Sequence, residues 1–255
     1  MRYLKWMFLA FLLGNFSPLV SAQTIFWEDF DSYRGGGFQA NPVAGQLDSD
    51  FWSISGLSDG DLDFGGSETS GDFARGSSFG GERIGGIYGF ELGENSGDYI
   101  LGVQATGADF TPGSIQLRFI NTTGGDLQGL IVSYDIVVFN DQERSNSFNF
   151  AHKDDSEDTF TAIPDLNFTT PEASDSTPAW KTIRRTTTIT GITLAAGDDY
   201  FLQWSSDGVG GTGSMDQFGL NNVLISAIPE PSTYALFFGS IALGIAVWRK
   251  RRRAA

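Results

Sequence analysis

The stretch Leu130–Phe139, which reads LIVSYDIVVF, decides the fold. Nearly every residue in it is apolar or β-branched, and it is longer than a typical strand. A run of this kind is characteristic of a central strand that is covered on both faces. The segment therefore predicts a β-sheet with this strand in its interior.

The preceding segment Ser114–Ile120 has a different pattern. Ile115, Leu117 and Phe119 alternate with Gln116 and Arg118. Because successive side chains of a strand point to opposite faces, this alternation predicts a half-buried strand with one wet face. Other segments rich in β-branched and aromatic residues predict further strands at Ile25–Phe30, Tyr99–Gln104, Ser147–His152, Trp180–Ile189, Tyr200–Trp204 and Leu220–Ser226.

Glycine separates these segments. The chain has 33 glycines, many in pairs, and residues 23–227 show no sustained helical period. Glycine pairs between short β-prone runs are typical of turns in an all-β domain. Residues 34–98 are poor in aliphatic side chains, so we expect long loops with a few short strands there. Roughly eight to ten strands then predict a two-sheet β-sandwich of the jelly-roll kind.

Residues 1–22 have the composition of a secretory signal peptide. Arg2 and Lys5 give a basic start, residues 6–13 are apolar, and the segment ends in small residues at Ala22. This predicts export, cleavage after Ala22 and an exported domain over residues 23–227. The chain has no cysteine, so the exported fold relies on its core, with or without a metal, rather than on disulfides.

Residues 228–255 carry three consecutive signals. Pro229, Glu230 and Pro231 interrupt any regular element, residues 233–248 are apolar and uncharged, and residues 249–253 are all basic. As a helix the apolar run spans about 24 Å, slightly less than a bilayer core of about 30 Å. A terminal basic block is typical of the cytoplasmic side of a membrane helix. The tail therefore predicts a transmembrane tether, because a core helix of a soluble domain would gain nothing from clustered cations.

This order of parts resembles the PEP-CTERM protein-sorting signal of Gram-negative bacteria. The resemblance rests on Pro229-Glu230-Pro231, the short apolar helix and the Arg-rich end, and it covers only the tail. It implies handling by an exosortase, a membrane transpeptidase-like enzyme, in bacteria that make exopolysaccharide and biofilm matrix. It implies an address at the inner membrane, the cell surface or the extracellular matrix, and no activity.

A second resemblance covers residues 99–226. An extracellular β domain of secreted bacterial multidomain proteins, also found in other PEP-CTERM proteins, usually ends in an acidic pair where this chain has Asn221 and Asn222. This resemblance implies a β domain without an assigned activity. It is carried by five segments in the same order: Ile100–Gly102, Ile120–Gly124, Val132–Tyr134, Leu166–Pro171 and Tyr200–Trp204.

The exported domain is strongly acidic. Residues 23–227 contain nine basic and 30 acidic residues, and 9 − 30 gives a net charge of −21. Such a surface repels the phosphates of nucleic acids, so we expect neither DNA nor RNA as a partner. The acidity favours solubility and also suits divalent cations.

The chain offers little catalytic equipment. His152 is the single histidine and cysteine is absent, so a zinc site of several His or Cys ligands cannot form. We expect His152 at the surface beside an acidic loop, without a nucleophile motif around any serine. Among 30 acids some pair will lie at glycosidase spacing by chance. The sequence therefore predicts a non-enzymatic protein, with no catalytic residue, and a carboxylate-dependent polysaccharide hydrolase is the alternative.

Calcium is the metal that this composition favours, because it takes oxygen ligands from carboxylates and carbonyls. In many jelly-roll modules the first and last strands are neighbours, and on that topology Glu28 or Asp29 would meet Asp216. These three residues are the predicted ligands of a structural calcium ion. Solvated surface acids are the alternative.

A carbohydrate-binding module is a further alternative. Solvent-facing aromatic rings can stack on sugars, although most aromatic rings of a sandwich belong to its core. The leading interpretation is an exported, surface- or matrix-associated protein that meets exopolysaccharide, calcium or another matrix protein. The aromatic residues available as sugar platforms are Trp27, Trp52, Trp180, Trp204, Tyr88 and Tyr99.

Overall fold

The computed structural model describes residues 22–228 and, in the tail, residues 239–241, 244–245, 248–249 and 251–252. Thr24–Ile228 forms one compact unit. The described tail residues are helical, but no helix among the described residues is both long and apolar enough to cross a membrane. Residues 1–21 of the predicted signal peptide, the motif Pro229–Pro231 and much of the predicted span 233–248 lie outside the described residues.

Strands dominate the compact unit, and two short 3₁₀ helices lie at Gly71–Phe73 and Pro164–Leu166. In chain order the strands are β1 (Thr24–Glu28), β2 (Tyr33–Gln39), β3 (Gly45–Asp48), β4 (Trp52–Leu57), β5 (Gly60–Leu62), β6 (Ser67–Glu68), β7 (Ser77–Ser78), β8 (Gly86–Glu91), β9 (Tyr99–Gln104), β10 (Gly113–Ile120), β11 (Leu127–Phe139), β12 (Arg144–Asp154), β13 (Thr161–Ala162), β14 (Phe168–Thr169), β15 (Trp180–Leu194), β16 (Asp199–Ser206), β17 (Gly208–Gly211) and β18 (Gln217–Ala227).

The strands form two main sheets. The first sheet has the order β15-β11-β18-β9-β8-β7, and β1 pairs with the second half of β18 beyond the end of β9. The second sheet has the order β13-β12-β16-β10-β4-β5, with β14 and β17 also paired to β12. A small third sheet has the order β3-β2-β6. Several neighbouring strands, such as β11 and β18 or β4 and β10, come from distant parts of the sequence, so the topology depends on long-range pairing.

Aromatic side chains join the two main sheets. Trp204 of β16 lies 5.3 Å from Tyr134 of β11, across the interface, and 5.7 Å from Phe150 of β12, measured between ring centroids. Phe148 of β12 meets Phe218 of β18 at 4.9 Å, again across the interface. All five rings are buried. These contacts define an all-β sandwich whose core consists largely of aromatic rings.

The prediction for Leu130–Phe139 is confirmed. The segment forms most of β11, which pairs with β15 on one side and β18 on the other. Val132, Tyr134 and Ile136 belong to the core between the sheets, while Val137 is buried in a smaller cluster on the opposite face. The strand is therefore interior to its sheet and covered on both sides, as its composition indicates.

The expectation of long loops over residues 34–98 is wrong, because most of β2 and all of β3 to β8 lie within this segment, although the strands are short, as expected. Glycine allows strand contacts here that the aliphatic content does not reveal. Gly35 has a φ of +67°, and a Cβ at that position would lie 2.2 Å from the carbonyl oxygen of Gly76. Close backbone approach thus replaces the side-chain pattern on which a strand prediction depends.

Candidate functional site

β10 lies in the middle of the second main sheet and follows the predicted alternation. Ile115, Leu117 and Phe119 are buried in the core, while Gln116 and Arg118 are half-buried on the outer face. β16 pairs with β10 along its whole length, and β4 pairs with its first half. Because the strands are in register, side chains on the outer face of this sheet line up across β12, β16, β10 and β4.

Three cross-strand rows make up the outer face, and we call their side chains the amide face. The first row consists of Asn149, Ser205, Ser114 and Ser55. The second consists of Ala151, Gln203, Gln116 and Ser53. The third consists of Lys153, Phe201 and Arg118. At strand spacings of about 4.8 Å and residue steps of about 3.3 Å, the face covers about 14 Å by 13 Å.

The amides of this face are not used by the protein itself. Among the described residues, the side chains of Gln116, Gln203 and Asn149 make no hydrogen bond, although each is half-buried. Ser55 and Ser114 share one hydrogen bond between their hydroxyl oxygens, at 2.8 Å. Each amide offers two N–H donors and a carbonyl acceptor. The face therefore presents a regular field of donors and acceptors that a polar ligand can use.

The third row packs cations against aromatic rings. The Nζ of Lys153 lies 5.3 Å from the ring centroid of Phe201, and the Cζ of Arg118 lies 5.1 Å from that of Phe64. The two rings are 5.8 Å apart. Within the described part of the chain, neither cation forms a salt bridge. Cation–π contacts of this kind hold the side chains in place along one edge of the amide face.

The amide face carries no carboxylate in its described rows, although the exported domain has a net charge of −21. Acids gather beyond the third row instead. There, an open cleft of about 340 Å³ is lined by Asp154, Asp155, Asp198 and Asp199. The first two rows of the amide face form a neutral field of amides and hydroxyls that is suited to an uncharged, hydroxyl-rich ligand, whereas the cleft is suited to cations and water.

The outer face of the first sheet differs, because its central polar groups are paired with each other. Asp135 accepts hydrogen bonds from Arg184 at 3.2 Å and from Asn222 at 2.9 Å. Asn221 donates to Asp98 at 3.0 Å. The resemblance noted from the sequence would place an acidic pair at Asn221 and Asn222. Here each amide faces a carboxylate, so an acid at either position would meet a like charge.

The structure divides the six predicted aromatic platforms into two groups. Three are buried: Trp52, Trp204 and Tyr88. Three reach solvent: Trp27, which is 50% exposed, and the half-buried Tyr99 and Trp180. None of these described residues belongs to the amide face. The rings at that face are phenylalanines, which the sequence reasoning did not select.

The predicted calcium ligands are not brought together. β1 does pair with β18, as expected for the first and last strands, but Glu28 lies opposite Val223. Asp216 precedes β18, seven residues before Val223, or roughly 23 Å along an extended strand. Burial raises the pKa of Glu28, and the nearby Asp29 and Asp31 raise it further. Among the described residues, no group of three or more His, Cys, Asp or Glu side chains is placed to hold a metal ion.

His152 is buried, which differs from the surface position expected from the sequence. Its Nδ1 lies 2.7 Å from the hydroxyl oxygen of Tyr200, and the two rings stack. Burial lowers the pKa of His152, and Glu157 opposes the shift. The side chain therefore belongs to the edge of the core.

Sequence reasoning missed the amide face because its rows join four separate segments. The alternation in Ser114–Ile120 reveals one wet strand face, but it does not show that Gln203 lies beside Gln116. A signal was present in β16, where Gln203 and Ser205 alternate with the buried Leu202 and Trp204. Pairing these two strands by their alternation would have placed the two glutamines on one surface.

No protein-family model matches the chain, and no curated protein matches it. Among solved structures, a mannan-recognising carbohydrate-binding module (TmCBM27) is 13% identical, with a TM-score of 0.43 over 82% of this chain and 99% of that one. A xylan-binding domain from Paenibacillus barcinonensis is 7% identical, with a TM-score of 0.37 over 82% and 97%. A module specific for non-crystalline cellulose is 13% identical, with a TM-score of 0.34 over 58% and 86%. Likenesses this weak carry no argument about the ligand of this chain.

Proposed function

We propose that the compact unit is a jelly-roll-like, non-enzymatic carbohydrate-binding domain that binds an uncharged polysaccharide through the first two rows of the amide face. The observation that carries the proposal is the row structure of that face. Gln116 and Gln203 lie side by side with unused amides, flanked by serine hydroxyls and by the unused amide of Asn149. Amides and hydroxyls of this kind pair with the hydroxyls of a sugar chain without requiring charge.

The flat, repeated arrangement favours a chain over a single small molecule. Rows follow one another along the strands at roughly 6.6 Å, so an extended ligand can meet the same type of group repeatedly. The Phe201 and Phe64 rings add an apolar edge next to the polar rows. The described amide face holds no carboxylate that could act as a general acid or nucleophile, which supports binding without hydrolysis.

In this proposal, the terminal segments determine where the protein is localised. The signal peptide directs export, and the PEP-CTERM-like tail tethers the chain at the inner membrane until an exosortase acts on it. The domain then meets exopolysaccharide at the cell surface or in the matrix. The sequence motifs at the two ends support this part.

Affinity electrophoresis tests the binding function. The full-length protein is run through gels containing galactomannan, xylan, mixed-linkage β-glucan or, as an acidic comparison, alginate. We expect retardation by at least one neutral polysaccharide, without release of reducing ends. Replacing both Gln116 and Gln203 by Ala removes two sets of hydrogen bonds of about 1 kcal/mol each, so we expect the dissociation constant to rise about tenfold or more.

The matched control is Trp27→Ala, which removes an exposed ring from the first sheet. We expect its affinity to equal that of the unmodified protein. Loss of binding in Trp27→Ala with retention in the glutamine variant would place the sugar site on the other sheet and refute the amide face. Failure to bind every neutral polysaccharide would refute the function itself.

A further inference from the structure

β15 stands at one end of the first main sheet and is far longer than the strands at the other ends. It has 15 residues, whereas β7 at the opposite end of the same sheet has two. β13 and β5, at the ends of the second sheet, have two and three. An edge strand presents unpaired N–H and C=O groups to a second chain, and short edge strands are a common protection against such pairing. β15 lacks this protection.

One side of β15 has no backbone partner in the described part of the chain. Residues 180–190 pair with β11 in a regular antiparallel register, and no further backbone–backbone hydrogen bond reaches them there. The regular stretch ends at Gly191, which has a φ of +76° and lies at a register shift. The stretch contains no proline, so each residue has an N–H to donate. Its exposed outer-face side chains are Thr182, Arg184, Thr186, Thr188 and Thr190.

β15 also lies in residues 176–197, the longest segment of the exported domain without an acidic residue. The domain has a net charge of −21, so most of its surface repels a second copy. β15 instead carries three cations, and charges on an edge usually hinder strand pairing. Two of them already have partners within the chain: Lys181 lies 2.5 Å from Asp175, and Arg184 lies 3.2 Å from Asp135. Two copies that meet along β15 therefore avoid much of the repulsion between their carboxylates.

Symmetry restricts how two copies of this edge can pair. In a twofold antiparallel pair, directly opposed residues have the same orientation, and that orientation alternates along a strand. The twofold axis must therefore pass a residue that faces its own counterpart. An axis at Arg185 would oppose two guanidinium groups, which is unfavourable. An axis at Thr186 opposes every cation of β15 to a neutral residue and still pairs residues 182–190, the longest regular segment that does so.

We propose that β15 is a self-association edge, through which two copies of this chain pair β15 with β15 around Thr186 and join their first sheets into one continuous sheet. Main-chain hydrogen bonds supply the affinity when a strand is added to a sheet edge. Threonine pairs across the new interface add to it, because β-branched side chains pack well on a pleated surface. The opposed outer-face pairs are Thr186 with Thr186, Arg184 with Thr188, and Thr182 with Thr190.

Disulfide trapping tests the pairing, because the chain has no cysteine and an introduced thiol is unique. Cα atoms of directly opposed residues in antiparallel strands lie about 4.5–5.5 Å apart, within disulfide reach. We expect full-length Thr186→Cys, oxidised under native conditions, to give a disulfide-linked dimer on a non-reducing gel. Thr182→Cys is the matched control on the same strand face. Its counterpart would lie about 26 Å away along the paired strands, so we expect no cross-link.

The double variant Thr182→Cys with Thr190→Cys should cross-link again, because these two positions are opposed. It checks the register without altering Thr186, so the test does not depend on a single variant. In sedimentation experiments on detergent-solubilised protein, we expect the unmodified chain to have about twice the mass of one chain. Thr186→Lys, which opposes two ammonium groups, should shift it to the monomer.

The matched control for the charge is Thr182→Lys, which opposes a lysine to a threonine and should keep the dimer. An unmodified protein that is monomeric would overturn the proposal. So would cross-linking of Thr182→Cys as strong as that of Thr186→Cys, or the absence of a cross-link in both Thr186→Cys and the double variant.

Discussion

His152 shows how burial gives a single residue a pH-dependent effect on stability. Its folded pKa lies below the unfolded value of about 6.5, because burial disfavours the imidazolium. The unfolded chain therefore takes up the proton first as the pH falls. The contribution of this residue is complete above about pH 6.5 and is lost as the pH drops below it.

We predict that His152→Asn flattens part of the acid side of the stability profile. Thermal melts at pH 7.5 and pH 5.5 should show a smaller loss of Tm in the variant than in the unmodified protein. Loss of the contact with Tyr200 lowers Tm at both pH values, and the neighbouring Asp154 and Glu157 are the same in both proteins, so the difference between the profiles isolates the histidine. Parallel profiles would contradict the prediction.

At the residue scale, the sequence predicts which face of a strand a side chain occupies better than it predicts which residues surround that side chain. The alternation of Gln116 and Arg118 with apolar residues predicts that both side chains lie on the solvent-facing side of their strand. The burial of His152 could not be read in the same way, since it depends on Tyr200 of a strand 48 residues away. The hydrogen bond from the backbone N–H of Gln142 to Asp216 depends on two turns that only the folded sheet brings together.

At the scale of elements, β9 depends on a glycine that leaves room for an aromatic ring. A Cβ at Gly102 would lie 2.1 Å from the ring of Phe90, which is fully buried. The ring packs against Tyr88 at 5.0 Å and Trp180 at 5.1 Å, so it has little freedom to move. Gly102 is thus a packing requirement of the small cluster on the outer face of the first sheet.

We predict that Gly102→Ala destabilises the protein by about 1–3 kcal/mol, the usual cost of overpacking. Urea unfolding measures this as a lower midpoint with an unchanged slope. Gly107→Ala is the matched control, because a Cβ there meets nothing within 4 Å and the residue does not have a positive φ. Equal midpoints for the two variants would show that the Phe90 ring can shift after all.

Strands were predicted correctly where apolar and β-branched side chains define them. They were not predicted where close contacts of glycine-rich backbone define them. β9, β10 and β11 were placed within a few residues, because aliphatic and aromatic side chains define them. Between residues 34 and 98 the strands are short and rich in glycine, with hydrogen bonds and close backbone contacts in place of an apolar stripe. Such strands leave little periodic signal in the sequence.

At the scale of the whole molecule, the proposed address resides in the tail and is separable from the folded unit. We predict that a chain ending at Ile228 leaves the membrane fraction. Ile228 is retained because its N–H donates to the carbonyl of Gly129. Full-length protein with Pro229→Ala and Pro231→Ala is the control and should still sediment, because its apolar segment is intact. Sedimentation of the truncated chain with membranes would contradict the tether.

The overall architecture followed from the sequence more directly than the candidate sites. A two-sheet sandwich is the common solution for many short strands without cysteine, so composition and turn spacing were sufficient. The amide face requires the pairing of β4, β10, β12 and β16. Ser53 and Gln203 of its second row are 150 residues apart in the sequence (203 − 53), and no local pattern encodes that register. The hydrogen bond between Gln142 and Asp216 likewise joins the segment after β11 to the residue before β18.

The placement of β18 has a consequence for how the chain must be made. β18 is the last strand of the described domain in chain order, and it lies between β11 on one side and β9 and β1 on the other. Until β18 is present, the edges of β11, β9 and β1 that face it are unpaired, and the first sheet is incomplete. The sheet therefore cannot be completed before β18 has been synthesised, and a product shortened before Gln217 would leave unpaired strand edges prone to self-association.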